Sequence, residues 1–169
     1  MFRVLTPQSC NNWTSITDFE IDDKLTIINY FKIEEAFCNI AQIYFEEKRV
    51  NSITNKKIEK NVTENEDRKS IRFLGLSSKD NHVLNTIDCN AEYDMSYLKS
   101  VVKLALREFF WCEIHSKGKK EGITFGYDYY MYLITETLGA EIISYAASKD
   151  IIIEKNDNQL IINSYYNEE

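Results

Sequence analysis

The chain has 169 residues, 44% of them hydrophobic, with a formal net charge of −7; one domain of that length can bury a continuous core without disulfides or a structural metal. Apolar runs such as Ile151 to Ile153 are short, far from the roughly 20 residues that a membrane-crossing helix needs, and the opening MFRVLTPQSC lacks a basic-then-apolar leader pattern. These features predict a cytoplasmic, single-domain protein over residues 1–169 with no membrane partner.

Phe2 to Leu5 reads as a short strand that Pro7 ends by removing a backbone donor. Asp22 and Asp23 are N-cap candidates, and Ile33, Ala36, Phe37, Ile40, Ala41, Tyr44 and Phe45 recur at helical spacing, which predicts an amphipathic helix over 34–48. Whether 25–31 extends it is open, since Ile27 and Ile28 suit either helix or strand. The composition then changes. Residues 51–70, NSITNKKIEKNVTENEDRKS, carry three apolar side chains and read as a polar, mobile loop or surface helix. IRFLGL (71–76) and HVLNTIDC (82–89) read as strands joined by the polar turn SSKDN.

A second helix is expected from Asp94 or Ser96, with Leu98, Val101, Val102, Ala105 and Phe109 on one face. Strand character returns at 110–115. After the turn SKGKKEG it resumes as the aromatic run ITFGYDYYMYLI, so residues 107–134 read as a β-hairpin. Leu138, Ile142, Tyr145 and Ala146 mark a third helix within 135–148, and Asn156, Asp157 and Asn158 form the turn of a terminal hairpin. Helices alternating with hairpins, not with single strands, predict an α+β fold with helices packed on a mainly antiparallel sheet.

Chemistry is sparse. His82 and His115 are the two histidines available to an acid–base mechanism. Cys10, Cys38, Cys89 and Cys112 stand far apart without a CxxC pair, and read as small buried apolar residues. Neither Cys112 with His115 nor Asp88 with Cys89 has a metal-ligand spacing, and no GxxxxGK[ST] phosphate loop occurs. No metal or cofactor is expected. Two lysine-rich stretches, 48–69 and 117–120, are set in an acidic chain that would repel a polyanion, which argues against a nucleic-acid partner.

The charge distribution says more. Asp18, Glu20, Asp22, Asp23, Glu34, Glu35, Glu46 and Glu47 face Lys24 and Lys32 within 18–47, a local net of −6. Such a block is either a solvated helix face or a docking surface that steers a basic partner. With this block, the tyrosine-rich FGYDYYMYL (125–133), and an Ile-, Asn-, Lys- and Tyr-rich composition with one proline, the chain resembles the immunity proteins of bacterial contact-dependent growth inhibition and polymorphic toxin systems. The resemblance lies in overall character and carries no residue-by-residue motif. It implies a non-enzymatic protein that binds a cognate toxin domain, often a basic nuclease, and covers its active or substrate-binding surface. The eight acids named above, with Tyr127, Asp128 and Tyr129, would then form the interface, aromatic anchors supplying affinity and charge supplying on-rate. The alternative is an enzyme or nucleic-acid-processing subunit using carboxylates, tyrosines and His115, with Asp128 brought near by the hairpin. An adaptor joined through edge strands is a third reading.

Overall fold

The computed structural model describes residues 1–5, 24–60, 72–117, 120–126 and 130–156. Seven strands, β1 (Phe2–Leu5), β2 (Ser52–Lys60), β3 (Glu92–Asp94), β4 (Phe110–Ser116), β5 (Gly122–Phe125), β6 (Met131–Ile134) and β7 (Ile152–Lys155), form one sheet in the order β3-β2-β4-β5-β6-β1-β7. Every neighbouring pair is antiparallel. Four helices, α1 (Lys24–Glu47), α2 (Ser78–Thr86), α3 (Leu98–Leu106) and α4 (Ala140–Ser148), complete the α+β domain.

Helix α1 is the hydrophobic backbone of the fold. Phe37, Ile40, Ala41, Tyr44 and Phe45 lose all solvent exposure on one side of it, each large side chain contributing roughly 1.5–3 kcal/mol by burial. They meet α3, α4 and the sheet face that carries Val4, Ile53, Cys112, Ile114, Ile123, Met131 and Leu133. The register sets which side chains share that face: Ile114 pairs with Ile123, Ile123 with Leu133, and Phe2 with Leu133. Side chains alternate along a strand, so Arg3, Thr54, Glu113, His115, Thr124 and Tyr132 point to the opposite face.

Three helices end alike. At α1, Val50 N–H bonds to the Phe45 carbonyl and Arg49 N–H to the Glu46 carbonyl; the same pair of bonds runs from Phe109 and Glu108 after α3, and from Ile151 and Asp150 after α4. This C-terminal motif requires a left-handed residue, commonly glycine. Here Arg49, Glu108 and Asp150 take it, with φ of 52°, 58° and 57°. At the other end of α2, Ser77 and Asp80 cap each other reciprocally, at 3.2 and 2.7 Å.

Several expectations change. Helix α1 runs unbroken from Lys24, which settles the status of 25–31. Residues 52–60 are neither loop nor surface helix: they form β2, paired with both β3 and β4. Its inward positions are Ile53 and the amide Asn55, and a one-residue bulge at Lys57 (φ 49°) breaks the alternation, so the usual strand pattern is missing. Residues 82–89 belong to α2 and the turn after it, because the supposed polar turn is a capping box that starts a helix. Residues 73–75 are a turn that follows a helical Arg72, with Phe73 and Leu74 exposed, so the described part of 71–76 is no strand; Ile71 lies outside the described residues. The aromatic run 123–134 divides into β5 and β6, bridged by the Gly126 N–H to Tyr130 carbonyl bond. The β4–β5 hairpin forms as expected, in register Ile114 to Ile123. The third helix begins later than the stripe suggests, at Gly139 as N-cap. Strand β7 pairs with β1, and the second arm of the expected terminal hairpin lies outside the described residues.

Candidate functional site

An α-helix turns about 100° per residue, so adjacent acids on α1 cannot share one face. Glu34 turns inward and is 4% exposed. Its two carboxylate oxygens accept from Arg107 Nε at 2.6 Å and Nη2 at 2.8 Å, while Arg107 Nη1 donates to the carbonyls of Arg72 and Leu74. A guanidinium fork suits this two-point geometry. Glu34 therefore holds α1 to α3 and is withdrawn from the acidic surface expected of it. Glu47 is half-buried, and its carboxylate occupies the space where a β-carbon at Gly139 would stand. That places its charge at the N-terminus of α4, where the helix dipole favours an anion.

Glu35 and Glu46 remain exposed. Eleven residues apart, they return to the same side after about three turns. Glu46 accepts from Gln42 Nε2 at 2.6 Å. Ile28 and Lys32 are also exposed along this stripe, with Asn39 and Gln42 half-buried, so the described part of the block presents two carboxylates and one ammonium, not a continuous anionic face. Asp18, Glu20, Asp22, Asp23, Tyr127, Asp128 and Tyr129 lie outside the described residues. Of the remaining tyrosines of the aromatic run, Tyr132 pairs with Thr124 and Arg3 on the sheet face away from the helices, and Tyr130 lies under the Arg3 guanidinium at 5.2 Å.

On that same face, sequence reasoning missed a polar cluster. Glu113 is 4% exposed. Its carboxylate stands 3.2 Å from His115 Nε2 and 3.7 Å from Lys57 Nζ. The bulge places Lys57 here. Gly122 makes room for the imidazole: a β-carbon there would come within 2.9 Å of His115 Nδ1 and 2.7 Å of the Ile114 carbonyl oxygen. The buried Thr124 hydroxyl, one strand across from Glu113, has no hydrogen-bond partner among the described residues. The alternation of Glu113 and His115 about Ile114 was readable as a shared face. What brings Lys57 to them is not, because a bulge leaves no mark in the hydrophobic pattern.

Cys38 and Cys112 are buried, as expected, and burial pushes both thiols well above their ordinary range. Cys89 departs from that expectation. It is exposed in the turn after α2. His82 is exposed on α2, with its ring 5.4 Å from that of Tyr97. Among the described residues, no three His, Cys, Asp or Glu side chains gather as metal ligands would, and no helix is long and apolar enough to cross a membrane. Compared with protein-family models, curated proteins and solved structures, the chain matches none of them.

Proposed function

We propose that this chain is a cytosolic immunity protein that binds a cognate toxin domain, basic in character and a nuclease by class, and neutralises it by masking its active or substrate-binding surface. The observation that carries the reading is the exposed pair Glu35 and Glu46 on the outer stripe of α1, in the same acid-rich stretch of sequence, 18–47, as Asp18, Glu20, Asp22 and Asp23. A net-negative stripe raises the encounter rate with a cationic partner and penalises wrong ones, even with Lys32 exposed between the acids. Glu34 and Glu47 have structural work and are not assigned to the interface.

The test is affinity capture from the source organism at low and moderate salt, comparing the wild-type chain with the double variant Glu35→Lys, Glu46→Lys, followed by co-expression with the captured domain. A basic domain that is retained by the wild type, lost by the variant and rendered non-toxic on co-expression supports the reading. Equal retention by both proteins, or toxicity that the wild type does not suppress, removes it.

A second reading rests on the Glu113–His115 contact. A carboxylate that orients an imidazole is a working acid–base pair, so the enzyme alternative narrows to this dyad. Glu113→Gln and His115→Gln would abolish any hydrolytic or nuclease activity detected in a substrate screen while leaving the fold intact. Activity that survives both changes would exclude the dyad.

A further inference from the structure

Lys99 and Lys103 on α3 and Arg107, the residue that caps its C-terminal end, are spaced by four, so they form one row along the helix and its end. All three line a groove of about 350 Å³ between α1 and α3, opposite Phe31, Glu35 and Cys38. Like charges at this spacing repel by a few tenths of a kcal/mol each, and in an acidic chain such a row needs compensating anions. The compensation is graded along the groove. Arg107 is matched by Glu34, and Lys103 donates one hydrogen bond to Asp80 Oδ2 at 2.8 Å. Lys99 has no ion-pair partner among the described residues.

We propose that this groove binds a small oxyanion, a carboxylate or a phosphate monoester, bridged between the Lys99 and Lys103 ammonium groups. An ammonium has three donors, so Lys103 retains donors after serving Asp80, and Lys99 has not committed any to a carboxylate. One helical turn separates the two, a span of about 5–6 Å between β-carbons that a single oxyanion can bridge. Phe31 supplies an apolar wall, with the Arg107 guanidinium 5.3 Å from its ring. At one end, Gly75 has φ +69° and, among the described residues, nothing within 4 Å of where a side chain would begin. The volume is near the lower limit for ligand pockets, roughly 300–1,000 Å³, and so selects a small molecule.

Glu35 narrows the ligand class. Its carboxylate lines the same groove and has no ion-pair partner among the described residues. A bare anion would meet it unfavourably, whereas an anion that also carries an ammonium or hydroxyl would give it a donor. The ligand therefore combines an oxyanion with a hydrogen-bond donor a few bonds away. The groove shares Glu35 with the proposed toxin-docking stripe, but its ligand is a small molecule and its test involves no toxin, so either proposal can fail without the other.

Titration calorimetry would compare phosphoethanolamine, β-alanine and methyl phosphate on the full chain. The first two probe the phosphate and carboxylate sources, and the third lacks the donor. The expected result is saturable binding of at least one of the first two, weakened at least tenfold by Lys99→Glu. The preference for phosphoethanolamine over methyl phosphate should disappear in Glu35→Gln. Lys99 and Glu35 are both exposed, so these variants are expected to fold, and circular dichroism checks that they do. Absence of saturable binding by both donor-bearing probes, or equal affinity in Lys99→Glu, would overturn the proposal.

Discussion

Arg107 is the side chain on which the helical layer turns. It is 1% exposed and ties Glu34 of α1 and the turn carbonyls of Arg72 and Leu74 to the end of α3. Removing one partner of such a pair strands a buried charge, so Arg107→Ala should cost about 3–5 kcal/mol in urea unfolding. The double change Arg107→Met, Glu34→Leu should recover most of that loss, because two apolar side chains need no solvation. Recovery of none of it would mean that the carbonyl contacts dominate. Asp80 is the second such residue. Burial alone would raise its carboxyl, but the interactions with Lys103, Ser100 and Ser77, in that order, outweigh this and hold it at about 2 against an ordinary 3.8. A depressed carboxyl stabilises the fold above its unfolded value and loses that contribution as pH falls towards the folded one. Stability should therefore decline between about pH 4 and pH 2, and Asp80→Asn, less stable at pH 7, should show a smaller decline in that interval. Parallel curves for the two proteins would place the acid sensitivity elsewhere.

At the scale of elements, three helices terminate with a left-handed non-glycine residue. A β-carbon in that conformation costs roughly 1–2 kcal/mol, partly offset by the greater chain entropy that glycine loses on folding. Arg49 is exposed. Arg49→Gly should thus raise stability by about 0.5–1 kcal/mol, seen as a melting temperature about 2 °C higher; a lower one would show that the Arg49 side chain makes contacts worth more than the strain. The same scale explains which elements were legible. Helices α1, α3 and α4 bury one side, so their periodicity gives them away. The start of α2 is written in Ser77-Ser78-Lys79-Asp80, a capping box that also resembles a turn until the Val83 and Ile87 spacing behind it is weighed. Strand β2 hides because an inward Asn55, neither polar side-chain atom of which is hydrogen-bonded among the described residues, and a bulge replace the expected alternation.

Across the whole molecule, β4 is paired on both sides and lies under the helices, whereas β3 has three residues and one neighbouring strand among the described residues. Local opening is cheapest where few contacts must break. Amides of Glu113 and Ile114, which have partners in both β2 and β5, should exchange with solvent at least tenfold more slowly on average than those of Glu92 to Asp94 in native-state hydrogen exchange. Equal rates would mean that the sheet opens as one unit. Tertiary pairing also divides polar chemistry between two surfaces, the Glu113–His115 cluster on the sheet face away from the helices and the cationic row of α3 in the groove beside α1.

The α+β class, the amphipathic run of α1, the β4–β5 hairpin and the acid excess of 18–47 follow from composition and from spacing along the chain, because helix and strand impose periods of 3.6 and 2 on any side that is buried. Nothing local distinguishes Glu34 from Glu35, or Glu46 from Glu47. Helical rotation separates each pair, but whether the inward member meets a guanidinium or a helix N-terminus depends on residues about 70 to 90 positions away, brought near by packing. The same holds for Lys57 beside Glu113 and for β1, whose four residues become an interior strand once β7 pairs with its outer edge. Contacts between distant segments are not periodic in sequence, and so the assignment of charge to core, groove or surface belongs to the folded chain.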